Sequence, residues 1–260
     1  MNRPEAFLSS GGDGGPGPGY SFPAGVAPLS NTQRIDWMQR TVRPLGQREE
    51  GVTLPSLLPS SFADYARILH PGHIVGGDTL VRWAEVAKRT GRTMHPQAQW
   101  GRLAGTDDPY GHPEWAYEPE PGRLPAEVAL PLVALLRRHT KTSEHCLMGI
   151  WEGYGSFAEQ YPSVPRMALP DRTYLMFVGP VEAVAELASE SGRLTPNIWW
   201  PADRAWCIAT EIDFLETYVG GSASCVEEIL SCPDLETFRV SGDARVDFFA
   251  DTINTLGRRC

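Results

Sequence analysis

The stretch that decides the fold runs from Ile198 to Leu230 and reads IWWPADRAWCIATEIDFLETYVGGSASCVEEIL. Ala205–Phe214 alternates with period two. Trp206, Ile208, Thr210, Ile212 and Phe214 fall on one face, and Cys207, Ala209, Glu211 and Asp213 on the other, the pattern of a β-strand. Thr217–Val219 predicts a second short strand. Gly220-Gly221 reads as a turn, and Ser224 with Glu227 fits a capping box opening a helix. Glycines before a helix also suit a phosphate cradle, but no GxGxxG or GxxxxGK[ST] spacing is present, and Glu227 and Glu228 in the first turn oppose an anion.

Working outward, the period changes along the chain. Leu80, Trp83, Val86 and Ala87 recur at helical spacing after Asp78 or Thr79, and Ala126–His139 reads as a helix with Pro131 in its first turn or at a kink. From Cys146 the period shortens to two: Cys146–Trp151, Arg166–Leu169 and Tyr174–Val178 predict strands, with a helix over Val181–Ala188. Tyr65–His70 predicts an earlier strand, Phe238–Val240 a late one and Val246–Leu256 a terminal helix. Strands interspersed irregularly with helices predict an α+β fold with a mostly antiparallel sheet and flanking helices. Residues 1–31 are rich in Gly and Pro and predict a disordered tail. Residues 32–60 read as a short helix and connector, and 61–260 as a single α+β domain.

Composition narrows the function. A net charge of −9 disfavours nucleic acid and anionic membrane as partners, because neither a basic patch nor a membrane-length apolar run is present. Of 23 basic residues only Lys88 and Lys141 are lysines, which leaves little room for lysine chemistry. Five scattered cysteines without a CxxC read as reduced thiols in a cytoplasmic protein. The six histidines lie before residue 146, with no HExxH pair, and no metal or other cofactor is expected.

The candidate binding surface is Trp151, Glu152, Tyr154, Trp199, Trp200, Arg204, Glu211 and Asp213. Trp199 and Trp200 must point to opposite faces of a strand, so one of them beside Arg204 would form a hot spot of the kind interfaces use. The alternative is a packed turn with both indoles in the core and Asp203–Arg204 as an ion pair. Glu211 and Asp213 share a strand face and, joined by Glu152, could work as acid and base or hold a divalent ion. Acids at a solvated strand end explain them equally. The two resulting readings are a domain that binds a protein or small molecule without catalysis, and an enzyme using these carboxylates.

In WWPADRAWCIATEID and TYVGGS, together with YARILHP, RWAEVA and HCLMGIWEGYG, the chain resembles a group of actinobacterial conserved hypothetical proteins over roughly residues 55–230. The resemblance implies a cytoplasmic setting and carries no catalytic or cofactor-binding residue onto this sequence.

Overall fold

A computed structural model describes residues 21–46, 51–155, 157–190 and 194–256. In chain order, β1 (Ala27–Pro28) precedes a 3-10 turn and α1 (Asp36–Thr41). Then come β2 (Asp64–Leu69), β3 (Gly72–Ile74), β4 (Leu80–Val81), α2 (Trp83–Thr90), α3 (Trp100–Ala104), β5 (Ala116–Tyr117) and α4 (Ala126–Leu136). The C-terminal half holds β6 (Cys146–Trp151), α5 (Phe157–Gln160), β7 (Arg166–Ala168), β8 (Thr173–Gly179) and α6 (Glu182–Ser189). It ends with β9 (Ile198–Pro201), β10 (Trp206–Ala209), β11 (Glu216–Gly221), α7 (Ala223–Leu230) and β12 (Glu236–Val240). Nine strands form one sheet in the order β1-β8-β6-β9-β10-β11-β2-β12, with β7 pairing to β8, and β4-β3-β5 form a second. Every pairing is antiparallel. The fold is α+β, as the patterning predicts.

Both faces of the large sheet are covered. One packs against α4, α6 and α7 through Ile68, Met148, Ile150, Phe177, Trp199, Trp206 and Val219. The other is covered by residues 29–46 and 51–58, whose Leu29, Trp37, Met38, Leu54 and Leu58 meet Leu147, Met176, Trp200, Cys207 and Tyr218. The segment read from sequence as a connector is thus the sheet's second cover. Residues 1–20 of the predicted tail lie outside the described residues. In the remainder Phe22 packs on Phe177 at 4.3 Å between ring centres, and β1 pairs with β8, so order begins before the predicted boundary.

A third apolar cluster joins Trp83 and Trp100 to the small sheet, α2 and α3. Arg67 bridges it to the main sheet. Its guanidinium donates to Pro96 O and Ala98 O at 2.9 and 2.8 Å and to Glu216 Oε1 at 3.0 Å, and lies 5.3 Å from the Trp83 ring centre.

Several local expectations change. Gly220 and Gly221 are not a turn but the end of β11, paired with β10 on one side and β2 on the other. A Cβ on Gly220 would come within 2.5 Å of the Phe62 ring, so the glycine is needed for packing and the phosphate-cradle reading falls. The cap of α7 is Ser222, whose hydroxyl accepts from Cys225 N at 3.2 Å, rather than Ser224. Helix α2 starts at Trp83 instead of near Asp78, because Leu80–Val81 pairs with β3. The carboxylate of Glu236 on β12 accepts from Trp83 N and Ala84 N, both at 2.8 Å, so a distant side chain does the capping. Helix α4 runs through Pro131 beyond its first turn. Only a 3-10 turn at Phe248–Ala250 stands in the predicted terminal helix. Cys146, Cys207, Cys225 and Cys232 are free thiols. Among the described residues no helix is long and apolar enough to cross a membrane.

Candidate functional site

The predicted surface divides into three parts. Trp199 and Trp200 are 0% and 1% exposed. They do point to opposite faces, but both faces are covered, so neither indole reaches solvent. Arg204 is exposed in the β9–β10 loop, in the left-handed region at φ 57°, with its guanidinium 5.1 Å from the Trp37 ring centre. The Asp203 carboxylate accepts from Lys141 N, Thr140 Oγ1 and Ala205 N rather than pairing with Arg204. Those hydrogen bonds outweigh the burial opposing them and hold it below the usual carboxylate range.

Glu211 and Asp213 sit at the opposite end of β10. The strand stops at Ala209 and residues 211–214 form a turn closed by Phe214 N donating to Glu211 O at 3.0 Å. The two acids therefore do not share a strand face. They converge on Arg172 of the β7–β8 hairpin, which donates to Glu211 Oε1 at 2.6 Å and to Asp213 Oδ2 at 3.0 Å. Burial pushes the Glu211 carboxyl up, against the attraction of Arg172. Glu152 turns instead to Arg166 at 3.3 Å. Among the described residues no three His, Cys, Asp or Glu side chains gather as a metal site.

Trp151 and Tyr154 meet edge to face at 5.3 Å, held by the buried amide of Asn197. Its Oδ1 accepts from Trp151 N at 2.9 Å and its Nδ2 donates to Tyr154 Oη at 3.0 Å. Tyr110, between α3 and β5, donates to Asp213 O at 2.9 Å. The cleft between Arg172, Tyr174, Asn197 and the cover segment encloses about 20 Å³, room for about one water. This region is a closed polar hub. Arg172→Met is expected to cost about 2–3 kcal/mol at pH 7, somewhat below the usual penalty for orphaning a buried charge because Arg172 is partly exposed. The cost should shrink as pH falls toward 4.5, the ordinary glutamate value, since protonating Glu211 removes the unpaired charge. Urea denaturation at both pH values reads it.

A larger opening lies elsewhere. At the end of β2, where α4 begins and α6 ends, His70, His73, Glu120, Arg123, Ala126 and Glu127 line part of a cavity of about 300 Å³ that is open to solvent. His70 follows the last strand residue and is 1% exposed. Its Nε2 lies 2.9 Å from Thr217 Oγ1, which is 2.6 Å from Thr210 Oγ1. Its Nδ1 has no hydrogen-bond partner among the described residues. Pro125 occupies the N-cap of α4 and offers no side-chain cap, so among the described residues the first-turn N–H groups of Ala126 and Glu127 lack a capping acceptor. Arg123 donates to Glu120 Oε2 and Glu190 O, both at 3.2 Å.

Burial lowers His70 to about 3. A depressed histidine stabilises the fold only while neutral. Below about 6.5 the unfolded chain takes up a proton that the folded chain refuses until about 3, so stability falls across that window. His70→Gln keeps a hydrogen-bonding group near Thr217 and does not titrate. Its stability, read by urea midpoints, should vary less steeply between pH 6.5 and 4 than the wild type's; parallel profiles would contradict the assignment.

Sequence reasoning missed Arg172, Asn197 and His70 as organising residues. One signal was available at the cavity: LPAEVAL opens the longest helix with proline where Ser, Thr, Asp or Asn would cap it. Comparison with protein-family models, curated proteins and solved structures finds no match.

Proposed function

We propose that the chain is a binding module that receives a small polar organic molecule in the cavity beside His70. The observation that carries this reading is a solvent-open space of about 300 Å³ lined by His70, His73, Arg123 and the first turn of α4, whose N-cap offers no side-chain acceptor among the described residues. That volume lies at the lower end of small-molecule sites. The acidic balance of the chain supports a ligand other than nucleic acid, and a cytoplasmic setting and kinship with the actinobacterial group remain parts of the proposal.

Binding is favoured over catalysis by the surroundings of the hydroxyl hydrogen-bonded to His70. Thr217 is 0% exposed, so a His70–Thr217 pair cannot present a nucleophile to a substrate. The Trp/Arg/acidic surface expected from sequence does not support the proposal, since Trp199 and Trp200 are core and its acids are already paired.

The test is a mixed pool of polar fragments, monitored by thermal shift against wild type and His70→Leu. The proposal expects fragments that raise the wild-type midpoint and leave the variant's unchanged. Equal shifts in both proteins, or none in the wild type, would overturn it.

A further inference from the structure

Independently of the ligand cavity, we propose that β12 is a dimer interface, on which a second copy of this chain continues the large sheet through its own β12. Among the described residues β12 stands at the end of the sheet and pairs with β2 alone. Main-chain hydrogen bonding alternates along an antiparallel ladder. His70 N donates to Leu215 O, one step beyond the Leu69–Glu216 pair, so Leu69, Arg67 and Tyr65 turn their main-chain groups toward β12. Glu236, Phe238 and Val240 meet them. Thr237 and Arg239 therefore aim their N–H and C=O groups away from the sheet. Five residues in unbroken register, ETFRV, without proline or glycine, make an edge that another strand can extend. The opposite end of the sheet is divided between β1 and β7, of two and three residues, and Pro28 has no N–H. Pairing through β12 thus closes at two copies instead of propagating.

The chemistry of the strand selects the register. A two-fold axis at Phe238 sets Thr237 opposite Arg239 of the second copy, so each outward N–H donates to an outward C=O across the axis. The two Phe238 rings, each half-buried and packed on the Trp83 cluster, then form a close non-hydrogen-bonded pair, and cross-strand aromatic pairs stabilise sheets. Moving the axis to Arg239 sets two guanidiniums opposite each other, and moving it to Thr237 sets Glu236 against Phe238. The Phe238 axis also brings the Glu236 end of one copy to the Val240 end of the other. At the Glu236 end the start of α2 is tied on, by Trp83 N and Ala84 N to the Glu236 carboxylate and by Arg82 to Pro233 O at 2.8 Å. At the Val240 end lies an open groove of about 630 Å³ lined in part by Phe62, Asp64, Tyr65, Arg239 and Gly242. Exposed Arg82 and the carboxylates of Asp64 and Glu227, which hold Arg239, are complementary in charge across that junction.

The experiment is sedimentation velocity of the full chain from about 1 to about 200 μM under reducing conditions. The mass is expected to rise from that of one chain to twice that, and no further. Thr237→Pro removes one outward N–H at an edge position that tolerates proline. It should weaken association at least about tenfold, with thermal unfolding of the dilute variant confirming that the fold is kept. Phe238→Cys tests the axis without depending on that variant. Cα atoms about 4.5 Å apart in a non-hydrogen-bonded pair suit a disulfide, so mild oxidation should cross-link Phe238→Cys into a dimer. Wild type, with Cys232 partly exposed, and Arg239→Cys, whose cysteine faces Thr237, set the background that Phe238→Cys should exceed. A chain that stays monomeric across the range overturns the proposal, as does a monomer that takes an unrelated extended peptide on β12, which makes the edge a peptide site. A dimer in which Phe238→Cys does not cross-link overturns the axis, and one that also survives Thr237→Pro overturns the interface.

Discussion

Replacing Arg67 by methionine is expected to lower the free energy of unfolding by about 3–5 kcal/mol, the usual penalty for removing one partner of a buried ion pair. Arg67 and Glu216 are 1% and 2% exposed as side chains and lie 3.0 Å apart. The substitution leaves the Glu216 carboxylate with Tyr218 Oη, 3.1 Å away, as its remaining side-chain donor. It also frees the carbonyls of Pro96 and Ala98, by which the α2/α3 region is tied to the main sheet. Methionine fills similar space without the charge, so packing loss contributes little. The double variant Arg67→Met/Glu216→Gln should recover a large part of the loss, because it removes the orphaned charge that dominates the single variant. Chemical denaturation of the single and double variants measures both quantities. A single-variant loss below about 1 kcal/mol, the range of solvated surface pairs, would contradict the burial of this bridge.

Trp200→Ala is expected to cost about 3–5 kcal/mol, the range for truncating a fully buried aromatic side chain. The residue is 1% exposed and stands edge to face with Trp37 of the cover segment at 5.9 Å. Its loss should therefore loosen the cover segment around Trp37 as well as the sheet. Arg204→Ala, in the loop that follows the same strand, removes one exposed cation–π contact and should cost under about 1 kcal/mol. Thermal unfolding separates the two readings of the Trp-Trp-Pro stretch. A stable Trp200→Ala protein would restore the surface reading, and a collapse places the indole in the core.

The sequence made the strands, the main helices and the antiparallel α+β class legible, because side-chain periodicity is set by local geometry. It also placed Trp199 and Trp200 on opposite faces correctly. What it could not show is whether the second face was wet. That depended on residues 29–46 and 51–58 folding across strands far along the chain, such as Trp37 against Trp200, and nothing in their Pro-punctuated composition announces it. The same limit explains Glu211 and Asp213. Alternation continues through Phe214 in the sequence, but the strand ends at Ala209 and the acids are gathered by Arg172, some 40 residues earlier. The capping of α2 by Glu236 is a third case, in which a side chain from β12 fixes a helix start that local residues had suggested elsewhere. His70 shows a different limit. Its sequence context, ILHPG, gives a strand end, and only the assembled fold shows that Nδ1 is buried without a partner beside an uncapped helix.

The central claim is that the space between β2, α4 and α6 is where this protein holds its ligand. Locating a bound molecule tests it most directly: crystals of the full chain soaked with a polar fragment library, with every bound fragment placed in the electron density. The account predicts that fragments gather in the cavity, with an acceptor atom on the N–H groups of Ala126 and Glu127. Fragments that cluster in the Arg172 cleft or on the Arg204 loop and leave the His70 cavity empty would contradict it.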